Sequence, residues 1–221
     1  MFTLQSAQDI ILLITRLIAY LFVITPAGAF KSWTTKKMGD PTADELGFTS
    51  LNPIVHVDTI GLICLVLLGF GWGRQIPLIP SHIIGKYRAA KLVIASFSGV
   101  FMYLLVALIS ILCLAFFFGA DLGSLTDTST SSFALSIGRI LIAAIGLSCF
   151  LAMIELVING VMLTITYLSE KQVYEPRYLW YALLIAPLVI LLLVGQPLQE
   201  LLMKGILTIA DFIARAIGIS K

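Results

Sequence analysis

Positions 92–119 of the chain run without a single Asp, Glu, Lys or Arg. A helix rises about 1.5 Å per residue, so roughly 20 apolar residues cross the ~30 Å hydrocarbon core of a bilayer. This run is long enough to span a membrane, and others resemble it. The run 10–30 is interrupted only by Arg16 and by Thr25-Pro26, and 133–168 by Gly138-Arg139, Glu155 and Asn159-Gly160. The run 178–194 contains one proline, Pro187, which is placed to kink it, and 60–70 is apolar but short. Of the 221 residues, 59% are hydrophobic and 12% charged, with mean hydropathy +1.04. A soluble domain is nearer half apolar and a quarter charged. The expected fold class is an all-α integral membrane protein with about five hydrophobic segments, 1–221 forming a single membrane domain. A soluble enzyme and a disordered chain are excluded. The formal charge of +2 is too small and its bases too scattered for a polyanion site, so no nucleic acid is expected. Membrane lipid is the first expected partner.

The polar segments complete the organisation. Thr25-Pro26-Ala27-Gly28-Ala29 has the look of a cleavage site, but Asp9 and the lack of a basic start argue for a retained span whose end Pro26 kinks or loosens. Two polar loops are expected, 31–58 and 74–91, the first carrying Lys and the second both Lys and Arg. The Ser/Thr-rich loop 121–132 carries none. If 60–70 crosses fully, the two basic loops fall on opposite sides. If it is re-entrant, both face the cytoplasm and the charge bias is obeyed, which favours re-entry. Residues 196–221 place Glu200, Lys204, Asp211 and Arg215 among apolar residues, as in an amphipathic C-terminal helix. Cys64, Cys113 and Cys149 lie in apolar runs without metal spacing and are expected as small core side chains. Trp33, Trp72, Tyr174, Tyr178, Trp180 and Tyr181 lie near span ends, where interfacial aromatics belong.

The stretch 38–80 carries the most specific pattern. It contains Gly39-Asp40-Pro41-Thr42-Ala43, then Leu51-Asn52-Pro53 with His56 and Asp58, then Ile60-Gly61, then Gly69-Phe70-Gly71-Trp72-Gly73 and Pro77-Leu78-Ile79-Pro80. In order and spacing this resembles the compact bacterial branch of the site-2-protease-like intramembrane zinc metalloproteases, which show GDPTA, LNPxxHxDPIG and GFGWAxPVPxNP. The resemblance implies a site-2-protease-like core and a bacterial inner (cytoplasmic) membrane. It implies metal-assisted peptide hydrolysis by an HExxH helix and a later LDG aspartate, with a metal-bound water.

The residues on those positions depart from the pattern. The HExxH positions fall on Ala27, Gly28 and Lys31, and the LDG aspartate falls on Asn159. GPxxN falls on 99–103 with Val100 and Tyr103, and the prolines before LDG become Ile154, Leu156 and Val157. No histidine precedes His56, so a slipped register does not restore the motif. Ala and Gly neither ligate nor take a proton, and a lysine ammonium repels Zn²⁺. The expectation is a pseudoprotease with no metal, no cofactor and no catalytic residues.

Of the motif residues, Gly39, Asp40, Pro41, Asn52, Pro53, His56, Asp58, Gly71 and Trp72 are expected to be structural. Asp58 is the candidate partner of His56, and His82 is expected in solvent. Glu155 lies four residues before Asn159, hence on one helical face. A membrane carboxylate is costly and is paired, protonated or functional. Lys31 and Arg139 are its candidate partners, and Lys31, Glu155 and Asn159 form the candidate binding set. Arg16 and Arg139 either snorkel or meet an acid on a partner. Three functions follow. The first is a non-catalytic membrane binding protein, assembly factor or subunit of a membrane complex, holding a partner's transmembrane helix in the groove the family uses for substrate. The second is a metalloprotease with an altered site. The third is a small transporter or ion path using Glu155.

Overall fold

The computed structural model describes residues 7–118 and 133–170, together with 204, 205, 208 and 212. The Ser/Thr-rich loop, the run 178–194 and all but four positions of the segment 196–221 lie outside the described residues.

Three helices dominate. α1 spans Ala7–Met38, α5 spans Arg88–Phe118 and α6 spans Phe133–Glu170. Between α1 and α5 come three short helices, α2 (Thr42–Glu45), α3 (Pro53–His56) and α4 (Thr59–Leu68), and a 3₁₀ turn at Pro80–His82. Among the described residues there is no strand, only an isolated antiparallel bridge between Val57 and Gly73. Mean hydropathies of 2.2, 2.8 and 2.5 make α1, α5 and α6 the three described helices long and apolar enough to cross a membrane. Their outward faces carry exposed Ile14, Phe22, Phe101, Leu108, Leu156 and Met162, as lipid-facing positions should.

α5 and α6 pack most extensively on each other, and α1 lies against both. Ala19, Tyr20, Val23 and Ile24 of α1 meet Val106 of α5 and Ala144, Leu147 and Leu151 of α6 in one buried cluster. Leu65 of α4 and Phe70 close it, the Phe70 ring edge-on to Phe150.

α1 corrects the expected loop boundary. Residues 31–38 are its last turns, and the loop expected at 31–58 begins only after Met38. The stretch reads as polar because its polar side chains face inward. Lys31, Ser32, Thr34 and Thr35 are all buried, whereas Lys36 and Lys37 are exposed. Nor does Pro26 end the helix, although it has no N–H to donate. α6 likewise runs unbroken past Gly138-Arg139, Glu155 and Asn159-Gly160.

α4 has ten residues, about 15 Å of helix, half a bilayer core. Asp58 starts it by accepting from Gly61 N at 2.8 Å, and Gly69 ends it in the left-handed region at φ 83°. The chain then returns along α4. A methyl on Gly61 would strike the Trp72 backbone, and one on Gly71 the Gly61 carbonyl, so the two segments are in close contact. Arg74 N donates to His56 O at 2.7 Å, so the excursion ends beside its start. Tyr20 of α1 pins the return by donating to Trp72 O at 2.8 Å.

Candidate functional site

The inward face of the last turns of α1 meets α5 and α6 around one polar cluster. Lys31 Nζ pairs with Glu155 Oε1. It also lies 3.5 Å from Asn159 Oδ1. The Lys31 and Glu155 side chains are only 6% and 14% exposed, so little water screens the pair. Asn159 donates its amide to Ser96 O of α5 at 2.7 Å, which orients its oxygen toward the lysine. Gly99 of α5 seats the carboxylate, since a Cβ there would overlap both Glu155 oxygens. Of the two candidate partners of Glu155, the ion pair is with Lys31.

A pocket opens beside the cluster, lined by Ala27, Gly28, Lys31, His56, Trp72, Tyr103 and Glu155, with Arg74 and Gln75 at its exposed side. His56 is 1% exposed. Its Nε2 donates to Ser50 O at 2.8 Å, and its Nδ1 has no hydrogen-bond partner among the described residues. The ring lies against α1 because Gly28 lacks a Cβ, which would collide with the imidazole. The expected pairing of His56 with Asp58 does not form, because Asp58 caps α4 instead.

A second polar cluster caps the helices outside the apolar stretches. Asp40, fully buried, accepts from Ile79 N at 2.6 Å, Thr42 Oγ1 at 2.6 Å, Thr42 N at 3.2 Å and His82 Nδ1 at 2.9 Å. Burial opposes its charge. The hydrogen bonds from Ile79, Thr42 and His82 outweigh that and hold the carboxyl below its ordinary range. His82, expected in solvent, is half-exposed and tied to Asp40. Asp44 is likewise lowered by its bonds from Lys36 at 2.7 Å and Thr49 at 2.6 Å. Asn52 caps α3 by accepting from Ile54 N at 3.1 Å. Gly39 has a φ of 120°, which favours glycine at the turn into Asp40-Pro41. These motif residues thus build turns and caps around the pocket.

Sequence reasoning missed Ser96 as the anchor of Asn159 and Gly99 as the seat of Glu155. The signal for Ser96 was its place on the buried face of α5, and Gly99 stood out only as the first residue of the GPxxN match. It also missed the Tyr20–Trp72 bond, which joins residues 52 apart.

Over 99 residues the chain is 34% identical to a Bacillus subtilis (strain 168) protein named "Putative zinc metalloprotease YwhC". The similarity is to a protein named as a metalloprotease. It supports the site-2-protease-like resemblance and covers 45% of this chain, while the chain spans 44% of that relative. No protein-family model matches the chain, and no solved structure matches it.

The zinc that the resemblance implies does not fit these residues. Ala27 and Gly28 have no donor atom, Lys31 brings a positive charge, and Asn159 offers one neutral oxygen already facing that charge. Among the described residues no three His, Cys, Asp or Glu side chains gather as a ligand set.

Proposed function

We propose that the chain is a non-catalytic, site-2-protease-like membrane protein that binds a transmembrane segment of a partner and does not cut it. The observation that carries the reading is the chemistry of the cluster. A lysine and an amide lie where the resemblance puts two of the zinc ligands, so the cluster lacks the donor set that would hold a metal and lower the pKa of its water. The pocket between α1, the α4 return and α6 opens at the exposed Arg74 and Gln75. An assembly factor or constitutive subunit of a membrane complex suits such a scaffold. Glu155 is tied to Lys31, which disfavours an open ion path through it.

In this reading α4 and its return form a re-entrant hairpin in a bacterial cytoplasmic membrane. The Val57–Gly73 bridge supports re-entry, because it brings both ends of the excursion to one place. The test is extraction of the full chain in mild detergent, with photo-crosslinkers at Gln75 and Ile154. Crosslinks to a stoichiometric membrane partner support the reading. A chain that purifies alone and cleaves a helical substrate removes it.

A further inference from the structure

We infer that the Lys31 ammonium takes the structural place of the metal that the resemblance implies, as a built-in cation that ties α1 to α5 and α6. Three observations carry this. The positions on which the resemblance puts the metal ligands, Ala27, Lys31 and Asn159, come together on α1 and α6, with Lys31 Nζ 3.5 Å from Asn159 Oδ1. The positive charge there is compensated as a bound metal would be, by a carboxylate and an amide oxygen from α6. Those oxygens are themselves held: α5 fixes Asn159 through Ser96 O at 2.7 Å and leaves room for Glu155 at Gly99. A zinc site joins helices through a cation that the protein must acquire. Here the cation is covalently part of α1, so the tie forms on folding and needs no metal.

The charge arithmetic explains why Glu155 and Lys31 belong together. An unpaired carboxylate at this depth is costly, and so is an unpaired ammonium. Lys31 alone would repel the metal and leave a buried charge, and Glu155 alone would leave the opposite one. Together they make a neutral pair, and Asn159 satisfies a further ammonium proton. The inference is independent of partner binding, since the tie lies within this chain.

The test is thermal unfolding of the full chain in detergent, followed by circular dichroism. Lys31→Met and Glu155→Leu should each lower Tm by roughly 10 °C, and the double variant Lys31→Met/Glu155→Leu should recover most of either loss. EDTA and added Zn²⁺ should leave the native chain unmoved. Where a single variant does not fold, a folded double variant supports the tie and an unfolded double variant overturns it. Losses that simply add in the double variant, a neutral Lys31→Met, or an EDTA-induced fall in Tm of the native chain also overturn it. A second variant tests whether the ammonium occupies the metal's place. Ala27→His/Lys31→His/Asn159→Asp restores three ligands, and its Tm should rise with added Zn²⁺. No response to Zn²⁺ removes the spatial equivalence. A partnerless chain that still shows the coupling leaves the tie standing while the binding function falls.

Discussion

A buried ion pair and a carboxylate–histidine hydrogen bond tie the described residues together at two levels, and they differ in what surrounds them. Lys31–Glu155 joins α1 to α6, with side chains 6% and 14% exposed. Asp40–His82 joins the end of α1 to the 3₁₀ turn before α5, its carboxylate fully buried but its imidazole side chain 46% exposed. The inner pair relies on one partner and one amide. The outer carboxylate spreads its charge over four hydrogen bonds, two of them from backbone N–H groups. The contrast teaches that the fold concentrates risk inside and distributes it outside. A single substitution inside strands a charge away from water, whereas outside the remaining donors and solvent take up the loss.

The largest effect should separate the two levels most clearly. Glu155→Leu leaves the Lys31 ammonium uncompensated and should cost about 3–5 kcal/mol in chemical or thermal unfolding. A loss as small as that of a surface pair would erase the distinction. Next, Gly99→Ala removes no charge but drives a methyl into the carboxylate, and overpacking of this kind costs about 1–3 kcal/mol. The penalty should shrink in a Glu155→Ala background, where the struck group is gone. An unchanged penalty would mean that Gly99 matters for helix packing alone.

The outer level should answer to pH. The folded Asp40 carboxyl titrates below its ordinary value, because its hydrogen bonds outweigh the opposing effect of burial. Its contribution is therefore full above the unfolded value, about pH 3.9, and is lost as pH falls through the lower folded value. Tm should fall on acidification below about pH 4, and Asp40→Asn should lower Tm at pH 7 while flattening that acid slope. A slope unchanged in the variant would assign the acid loss to other carboxyls. The smallest effect belongs to Lys36→Ala, which breaks an exposed pair with Asp44. Its change in Tm should lie below that of Asp40→Asn and fade in 1 M salt, where the Debye length is about 3 Å.

Much of this was legible in the residues. Apolar runs located α1, α5 and α6, because lipid demands apolar surface and leaves a compositional mark. Turn and cap chemistry was visible as local motifs, in Gly39-Asp40-Pro41, Asn52-Pro53 and Asp58 before Ile60-Gly61. The pairing of Lys31 with Glu155 was readable only as one of two candidates, since nothing local says which cation a membrane carboxylate faces. The end of α1 was misread for the same reason. Lys31, Ser32, Thr34 and Thr35 look like loop residues, yet they point into the protein, and Lys31 and Ser32 meet Glu155 and Thr49 there. Polarity marks a loop only when its cause is water. For Lys31 its cause is a buried polar partner, distant in sequence. For His56 a local hydrogen bond was legible but not its partner, which is Ser50 O, nor its seat against Gly28, where a missing Cβ leaves the room.

The central claim is that a resident ammonium stands where relatives of this pattern would carry zinc. The most direct test is the metal content of the full chain, purified in detergent from zinc-replete cells and measured by inductively coupled plasma mass spectrometry. The account predicts far less than one zinc per chain, with no loss of Tm on chelation. One zinc per chain, removed by a chelator together with folded stability, would contradict it.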